Sequence, residues 1–452
     1  MTDGNKPFFT VGNYLVLVPI ALLMYAQVPH LKLPYFWDEA WSYMAAVRKM
    51  AEAGPSIMPG AVPLEYCKGH PQLFYFIAAC WFNTFPCDIF YMRLFPLVFS
   101  IVLLIAFYFG LRKVSNPTIA RMGVVLLGVQ SMFLAQSIMV LPEMMLSLWL
   151  ILAFFAFIRS NYKIYALWGS LMVMTKETAM IFAAVFVLCY LTGNFEKIKD
   201  RNFVRNLSLV VSPLMVYFVF LVFHKLAFGV FFYQEHLGYI SFRWDTMWRK
   251  LGSAFVTAFV HYGRLSLLLF LIGAIFFLLW KKIRLKNRNA LVCLAIMIPS
   301  YLIFLSLNFY SPRYTLSILI LMILSFSMLF ESIPLSTGFK WVTVILISSV
   351  CLFYSLNSKR EIDIDLGYVE VIDVNKKMVR YCEKMGFYND PIAASFNINI
   401  GLKDKNAGFL SGERIFTNVA GLDRYMQARY VMYETTTEDN QNITWKIGRA
   451  HV

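Results

Sequence analysis

The sequence predicts an α-helical polytopic membrane protein with about eleven transmembrane helices, interfacial helices in its first outside loop and a small soluble α/β domain at its C-terminal end. Three observations point there. Of 452 residues, 59% are hydrophobic and only 15% charged, against roughly a quarter charged in soluble domains, so too little polar surface exists to cover a water-exposed globule. Apolar runs near the ~20 residues that a hydrocarbon core of roughly 30 Å demands recur along the chain, parted by short polar connections. The basic residues of those connections fall overwhelmingly on alternate ones.

The spans are taken in order. Eleven runs qualify, at about 11–27, 93–111, 121–138, 143–158, 164–178, 179–193, 207–226, 264–280, 290–307, 313–332 and 340–356. The run 71–85 (PQLFYFIAACWFNTF) is shorter and fits either a short span or a helix lying in the interface. Charge decides between them, because basic residues in short loops stay on the cytoplasmic side. With 71–85 interfacial, one side receives Arg112, Lys113 and Arg121, then Arg159 and Lys163, then Lys197, Lys199, Arg201 and Arg205, then Lys281, Lys282, Arg284, Lys286 and Arg288. The opposite short loops hold only Lys176 and Arg313. The expected topology has an inside N-terminus, eleven spans and an outside C-terminus. The first apolar run follows a weakly charged start and lacks a small-residue cleavage site in register before Pro29, so it reads as an uncleaved span.

The domains divide at 356: residues 1–356 form the membrane part and 357–452 a soluble extracytoplasmic domain. From Asn357 onward 13 basic and 13 acidic residues cancel, so the formal net charge of +15 belongs wholly to the membrane part. No basic face on a soluble domain carries it, and no nucleic-acid partner is implied. The tail combines a helical stretch (VEVIDVNKKMVRYCEKMGFY) with strand-like runs PIAASF, RIFTNV, RYVMYET and ITWKIG. Seven scattered cysteines suggest no metal cluster, although Cys67 and Cys87 share the first outside loop (28–92) and could pair.

That loop opens PYFWDEAWSYMAAVRKMAEAG. At 100° per residue, Asp38, Ser42, Lys49 and Glu52 share one stripe and Ala40, Met44, Val47 and Ala51 the opposite one. A helix lying flat on the membrane is expected, with Asp38 and Glu39 in its first turn, where the N-terminal dipole favours carboxylates. An acidic helix start and nothing more is the plain alternative. Further on, Lys68 and His70 sit beside the apolar 71–85 helix, where they could hold a lipid phosphate.

These residues resemble the GT-C membrane glycosyltransferases, in particular the branch of the protein O-mannosyltransferases and the aminoarabinose transferase of lipid A. The resemblance runs through Phe36-Trp37-Asp38-Glu39-Ala40-Trp41-Ser42-Tyr43 after the first span and His70-Pro71-Gln72-Leu73-Phe74-Tyr75, where Gln72 replaces a second proline. It continues with Arg93-Leu94, Pro142-Glu143 and Leu171-Met172-Val173-Met174-Thr175-Lys176, where Glu177 stands in place of a glycine. Phe231-Phe232-Tyr233-Gln234-Glu235-His236-Leu237 and Arg313-Tyr314 complete it. Each motif alone is weak; their colinearity over residues 36–332 carries the likeness, and the C-terminal domain adds nothing to it.

The resemblance implies a GT-C-like catalytic domain that moves a sugar from a polyprenyl-phosphate-linked donor to a hydroxyl of a glycan, lipid or protein acceptor, at the extracytoplasmic face of a bacterial inner membrane. Asp38 is the expected general base, its pKa raised by the low-dielectric interface. Glu39 is expected beside it, hydrogen-bonding the helix start or the acceptor. Lys68, His70, Lys176 and Arg313 are the candidates for the donor phosphate, arginine being suited to bidentate phosphate contact. Glu143 would orient acceptor hydroxyls, Glu235 and His236 would close the cavity or hold the sugar, and Phe74, Tyr75 and Trp81 would line a groove for the isoprenoid tail. With no Asp-x-Asp pair in the first outside loop, no metal or other cofactor is expected.

Topology alone supports one site: Asp38, Glu39, His70, Glu143, Lys176, Glu235, His236 and Arg313 come from six stretches yet all fall at the same membrane face, and ionisable groups at span ends favour a shared aqueous cavity over lipid. Two other readings stay open. A transporter or lipid flippase would place such groups near the midplane and repeat its halves. A catalytically inactive subunit of an envelope-assembly complex would keep the fold without the chemistry.

Overall fold

The computed structural model describes residues 11–86, 88–194, 196, 200–358, 363–435 and 444–449. Cys87, and with it the suggested pairing to Cys67, lies outside them.

Among the described residues, six helices are long and apolar enough to cross a membrane: Ile89–Val114, Glu177–Asn194, Arg201–Phe228, Arg288–Leu307, Pro312–Ser332 and Thr337–Asn357. Trp244–Phe259 and Arg264–Trp280 meet the same criterion only as a pair, bent by 90° at the break between them, the geometry of a broken span or a re-entrant loop. The bend is built by two consecutive left-handed residues, Tyr262 (φ 57) and Gly263 (φ 80), and a side chain at Gly263 would come within 2.9 Å of Val350. Other expected spans are shorter apolar helices, Tyr14–His30, Pro117–Gly128 and Glu143–Ile158. The run 121–138 is not one rod: helix Pro117–Gly128 stops and Ser131–Gln136 restarts it. Likewise the boundary expected at 178 falls at Lys176, where the backbone is extended (φ −156, ψ 137) between Tyr162–Thr175 and Glu177–Asn194. The run 71–85 forms the twelve-residue helix Leu73–Thr84, about 18 Å long and too short to span.

Local chemistry sets several starts. Asp88, Asn116, Asp200 and Ser336 each accept a hydrogen bond from a first-turn amide of the helix that follows, satisfying donors that a helix cannot pair itself. Pro312–Ser332 is the central helix, buried along almost its whole length. Gly110 admits Phe155 so closely that an added Cβ would overlap its ring, which lets Ile89–Val114 lie tight against Glu143–Ile158.

The bundle has two distinct ends. At one, Glu331 accepts from Ser115 (2.7 Å), Asn116 (3.3 Å) and Asn287 (3.1 Å), with Lys286 at 3.8 Å, so basic connections from separate parts of the chain meet there. Arg313, at the opposite end of the helix that carries Glu331, lies about 30 Å away.

The first loop begins with a π-helical turn, Glu39–Tyr43, and continues as Met44–Ala53. Met44 and Val47 are buried as the stripe predicts, but Ser42 is buried too. The wider turn holds more residues than 3.6, so the faces before and after it fall out of register.

The tail is a small α/β unit. Its strands are β1 (Ile392–Ala394), β2 (Val419–Gly421), β3 (Tyr430–Thr435) and β4 (Thr444–Arg449), in the order β2-β1-β3-β4. Strand β1 runs parallel to β2 and β3, and β4 pairs antiparallel with β3. Of RIFTNV only Val419 joins a strand. The expected helix is Tyr368–Met385. The unit packs on the first loop, where Tyr35 N donates to Ala407 O (2.9 Å), Trp37 N to Asn397 Oδ1 (3.2 Å) and Arg48 pairs with Asp404 (3.0 Å).

Candidate active site

Helices Glu143–Ile158, Glu177–Asn194 and Pro312–Ser332 all begin at the end remote from Glu331. Each helix start carries partial positive charge and unpaired amides, so this end favours an anion before any side chain is counted.

Arg313 occupies the centre. It is buried, and each guanidinium nitrogen faces a carboxylate: Nη2 pairs with Asp38, Nη1 with Asp363 at 2.9 Å, and Nε with Glu143 at 3.4 Å. Lys176, also buried, donates to the same Glu143 oxygen at 2.7 Å and lies 3.7 Å from the Tyr314 ring centre. The other Glu143 oxygen is buried without a hydrogen-bond partner. Charges this far from water persist only when paired, and the three carboxylates and two cations nearly balance.

The expectation of a raised Asp38 pKa is overturned. Burial does push it up, but the Arg313 guanidinium outweighs that, helped by Lys176 and Lys68, and holds the carboxyl below its ordinary value. Asp363 goes the other way: burial beside Glu143 and Asp38 raises it despite the same arginine.

Glu39 is buried and takes no part in the Arg313 group. Its carboxylate accepts from both terminal nitrogens of Arg93 (3.2 Å each), from Phe36 N (3.0 Å) and from Val140 N (2.7 Å). Arg93, wholly buried, further donates to the carbonyls of Leu33, Pro34 and Ile138. The pair rivets the first loop to the 138–140 turn and so fixes the backbone that presents Asp38.

A second cluster adjoins the first. His70 Nδ1 lies 2.8 Å from Glu177 Oε2, and its ring centre is 5.0 Å from that of His236 and 6.3 Å from that of Tyr43, on which it stacks. Lys68 rests over Trp41 at 4.1 Å rather than reaching the Arg313 group. Glu235 is exposed on the rim. The groove expected from Phe74, Tyr75 and Trp81 is not open: Phe74 and Tyr75 are 1% exposed, packed against Tyr43 and Phe95, and Trp81 is half-buried with its indole N–H on Tyr91 O (2.9 Å). Leu73, Phe74, Tyr75, Ala78 and Ala79 form the buried face of this helix, and the partly exposed face carries Phe76, Ile77, Cys80, Trp81 and Phe82 instead. Among the described residues no three His, Cys, Asp or Glu side chains are grouped to hold a metal ion; the carboxylates face Arg313 and Lys176.

No family model and no curated protein matches the chain. Solved structures do. ArnT from Cupriavidus metallidurans superposes with a TM-score of 0.58 at 13% identity, over 94% of this chain and 93% of that one, in its apo state. Bound to undecaprenyl phosphate it matches at 0.58 and 12%, with the same coverage. This chain has the fold of ArnT. The Archaeoglobus fulgidus oligosaccharyltransferase, solved with zinc and sulfate, matches at a TM-score of 0.51 and 11% identity, over 93% of this chain and 68% of that one. On this scaffold the motif residues Asp38, Glu143, Lys176 and Arg313 fall in one cluster and His70 with His236 in its neighbour. They miss two members. Asp363 comes from the segment after the last span, where the acidic alternation Glu361-Ile-Asp363-Ile-Asp365 was a usable signal. Glu177, noted only as a missing glycine, is the partner of His70.

Proposed function

We propose that the protein is a membrane glycosyltransferase that moves a sugar from a polyprenyl-phosphate-linked donor to an acceptor hydroxyl at the extracytoplasmic face of the inner membrane, with inversion. The observation that carries this is the convergence of Asp38, Glu143, Lys176, Arg313 and Asp363 at the starts of three helices. Buried cations framed by helix N-termini suit a lipid phosphate, and the ArnT structure with undecaprenyl phosphate supports a lipid of that class.

In the transfer, the acceptor oxygen attacks the anomeric carbon while the bond from that carbon to the phosphate oxygen breaks. The electron pair leaves with the polyprenyl phosphate, and Asp38 takes the hydroxyl proton. Arg313 and Lys176 stabilise the charge that develops on the departing phosphate. As long as Arg313 grips Asp38, the carboxylate is a poor base. A phosphate drawing that guanidinium toward itself weakens the grip and raises the basicity of Asp38, so the base is armed when donor is bound. Glu39 and Arg93 position Asp38, and Glu143 holds Lys176 and Arg313 in register.

The test is Asp38→Asn in the full chain. Transfer from a polyprenyl-phosphate sugar should fall by at least a hundredfold while the membrane level of the protein holds. Mass spectrometry of copurifying lipids should recover a polyprenyl-phosphate sugar. Full activity of the variant would overturn the mechanism, and a copurifying lipid without a phosphate-linked sugar would turn the reading toward transport.

A further inference from the structure

Beside the charged cluster lies a recess of about 330 Å³ whose lining is Trp41, Glu65, Tyr66, Lys68, Tyr233 and Glu235. Three elements build it. Trp41 belongs to the π-helical turn that follows Asp38. Tyr66 is fixed by Ser42, which donates to its carbonyl (3.3 Å). The 233–235 wall approaches because Gly69 carries no side chain: a Cβ there would sit 3.1 Å from that of Tyr233. The recess adjoins the turn that Asp38 opens, since its lining residue Trp41 belongs to Glu39–Tyr43 and Asp38 is the residue immediately before that turn.

The C-terminal domain extends the aromatic side of this recess. The Phe396 ring centre is 6.2 Å from that of Trp41 and 5.5 Å from that of Trp37. Trp37 has a left-handed backbone (φ 47), unusual for a bulky residue, and its amide is tied to Asn397 of that domain. The three rings stay about two-fifths exposed, at 39% for Trp37, 42% for Trp41 and 43% for Phe396. Among the described residues, Lys68 lies over Trp41 and Phe396 packs on both indoles, yet each of the three stays partly open.

We propose that this recess is the acceptor site and that its occupant is a saccharide, so that the hydroxyl presented to Asp38 belongs to a glycan. The inference rests on the transfer reading above and names the acceptor class that reading leaves open. A sugar ring has apolar C–H faces and a rim of hydroxyls. Indole and phenol rings match the faces, and carboxylates, a phenol hydroxyl and an ammonium match the rim. The volume sits at the low end of the roughly 300–1,000 Å³ usual for small-ligand sites, room for one terminal sugar unit with the remainder of the chain running out over Trp37 and Phe396. An acyl chain would want a continuous apolar wall, which Glu65, Lys68 and Glu235 interrupt. The C-terminal domain then acts as the outer wall of the acceptor site.

The test measures binding to the full chain in nanodiscs without donor, using defined tetrasaccharides (chitotetraose, mannotetraose, cellotetraose), a serine-rich peptide and glycerol phosphate as probes. Undecaprenyl phosphate binding is measured on the same samples. At least one tetrasaccharide should bind saturably. Trp41→Ala and Glu65→Gln should weaken it tenfold or more, Phe396→Ala by less, and Trp41→Phe should restore most of it, with undecaprenyl phosphate binding unchanged throughout. The proposal is overturned if no tetrasaccharide binds, if the variants bind as wild type does, or if the peptide or glycerol phosphate binds there instead. Each of those results would leave the donor reading intact as long as undecaprenyl phosphate still binds.

Discussion

Arg313 shares its guanidinium among Asp38, Asp363 and Glu143, and the three contacts are not equivalent. Glu143 is buried and also holds Lys176, so it belongs to the frame. Asp363 lies beyond the last span and competes directly for a nitrogen that a phosphate would use. Asp363→Asn removes the competing charge while keeping the side-chain shape, so undecaprenyl phosphate should bind about three- to tenfold tighter, roughly 0.7–1.4 kcal/mol. Titration of the purified variant checks this; weaker binding would mean that Asp363 steadies Arg313 for the ligand. At this scale the sequence was legible where a motif met a span end, as with Asp38, Glu143, Lys176 and Arg313. Glu39 shows the limit. It accepts from Phe36 N at the helix start, one of its two expected roles, but successive residues on a helical turn point apart, and Arg93 from the next span holds its carboxylate away from Asp38.

Among elements, the short helix Gln234–Gly238 carries a histidine whose packing is weakened by acid. Burial, then the neighbouring His70 and Lys68, pull the His236 pKa down to about 4 against the opposing pull of Glu177 and Glu235. The sign follows from linkage: in the unfolded or opened segment His236 takes up a proton near pH 6.5, while in the packed segment it resists until about pH 4. The packed arrangement is therefore fully favoured above pH 6.5 and loses ground as pH falls toward 4. Hydrogen exchange of residues 230–240, corrected for intrinsic rates, should rise between pH 7.5 and pH 5, and His236→Phe should flatten that rise. Element boundaries were the less legible part of the fold. Hydropathy sees Pro117–Gly128 and Ser131–Gln136 as one run because the break at 129–130 is itself apolar or neutral, and it cannot see the 90° bend at Tyr262 and Gly263.

For the whole molecule, the two-ended arrangement makes sidedness testable. Two of the connections rich in lysine and arginine, 112–121 and 281–288, meet around Glu331, and the candidate site with its C-terminal domain sits at the other end, about 30 Å away. That separation was readable from loop charge before any contact was known, because a bundle of spans allows each connection only two places to be. The count of spans was less so, since several helices inside the bundle are shorter than a free span and are buried by their neighbours rather than by lipid. If basic loops are retained in the cytoplasm, a single cysteine at Lys403, on a cysteine-free background, should react with an impermeant maleimide in intact cells. One at Arg284 should react only after permeabilisation. The reverse pattern would put Asp38 in the cytoplasm, where a nucleotide-linked sugar would be the natural donor and a lipid-linked one would lose its rationale. Equal labelling from outside would mean that the two ends of the bundle do not lie on opposite faces of the membrane, and the helix Pro312–Ser332 that joins them would not be a span at all.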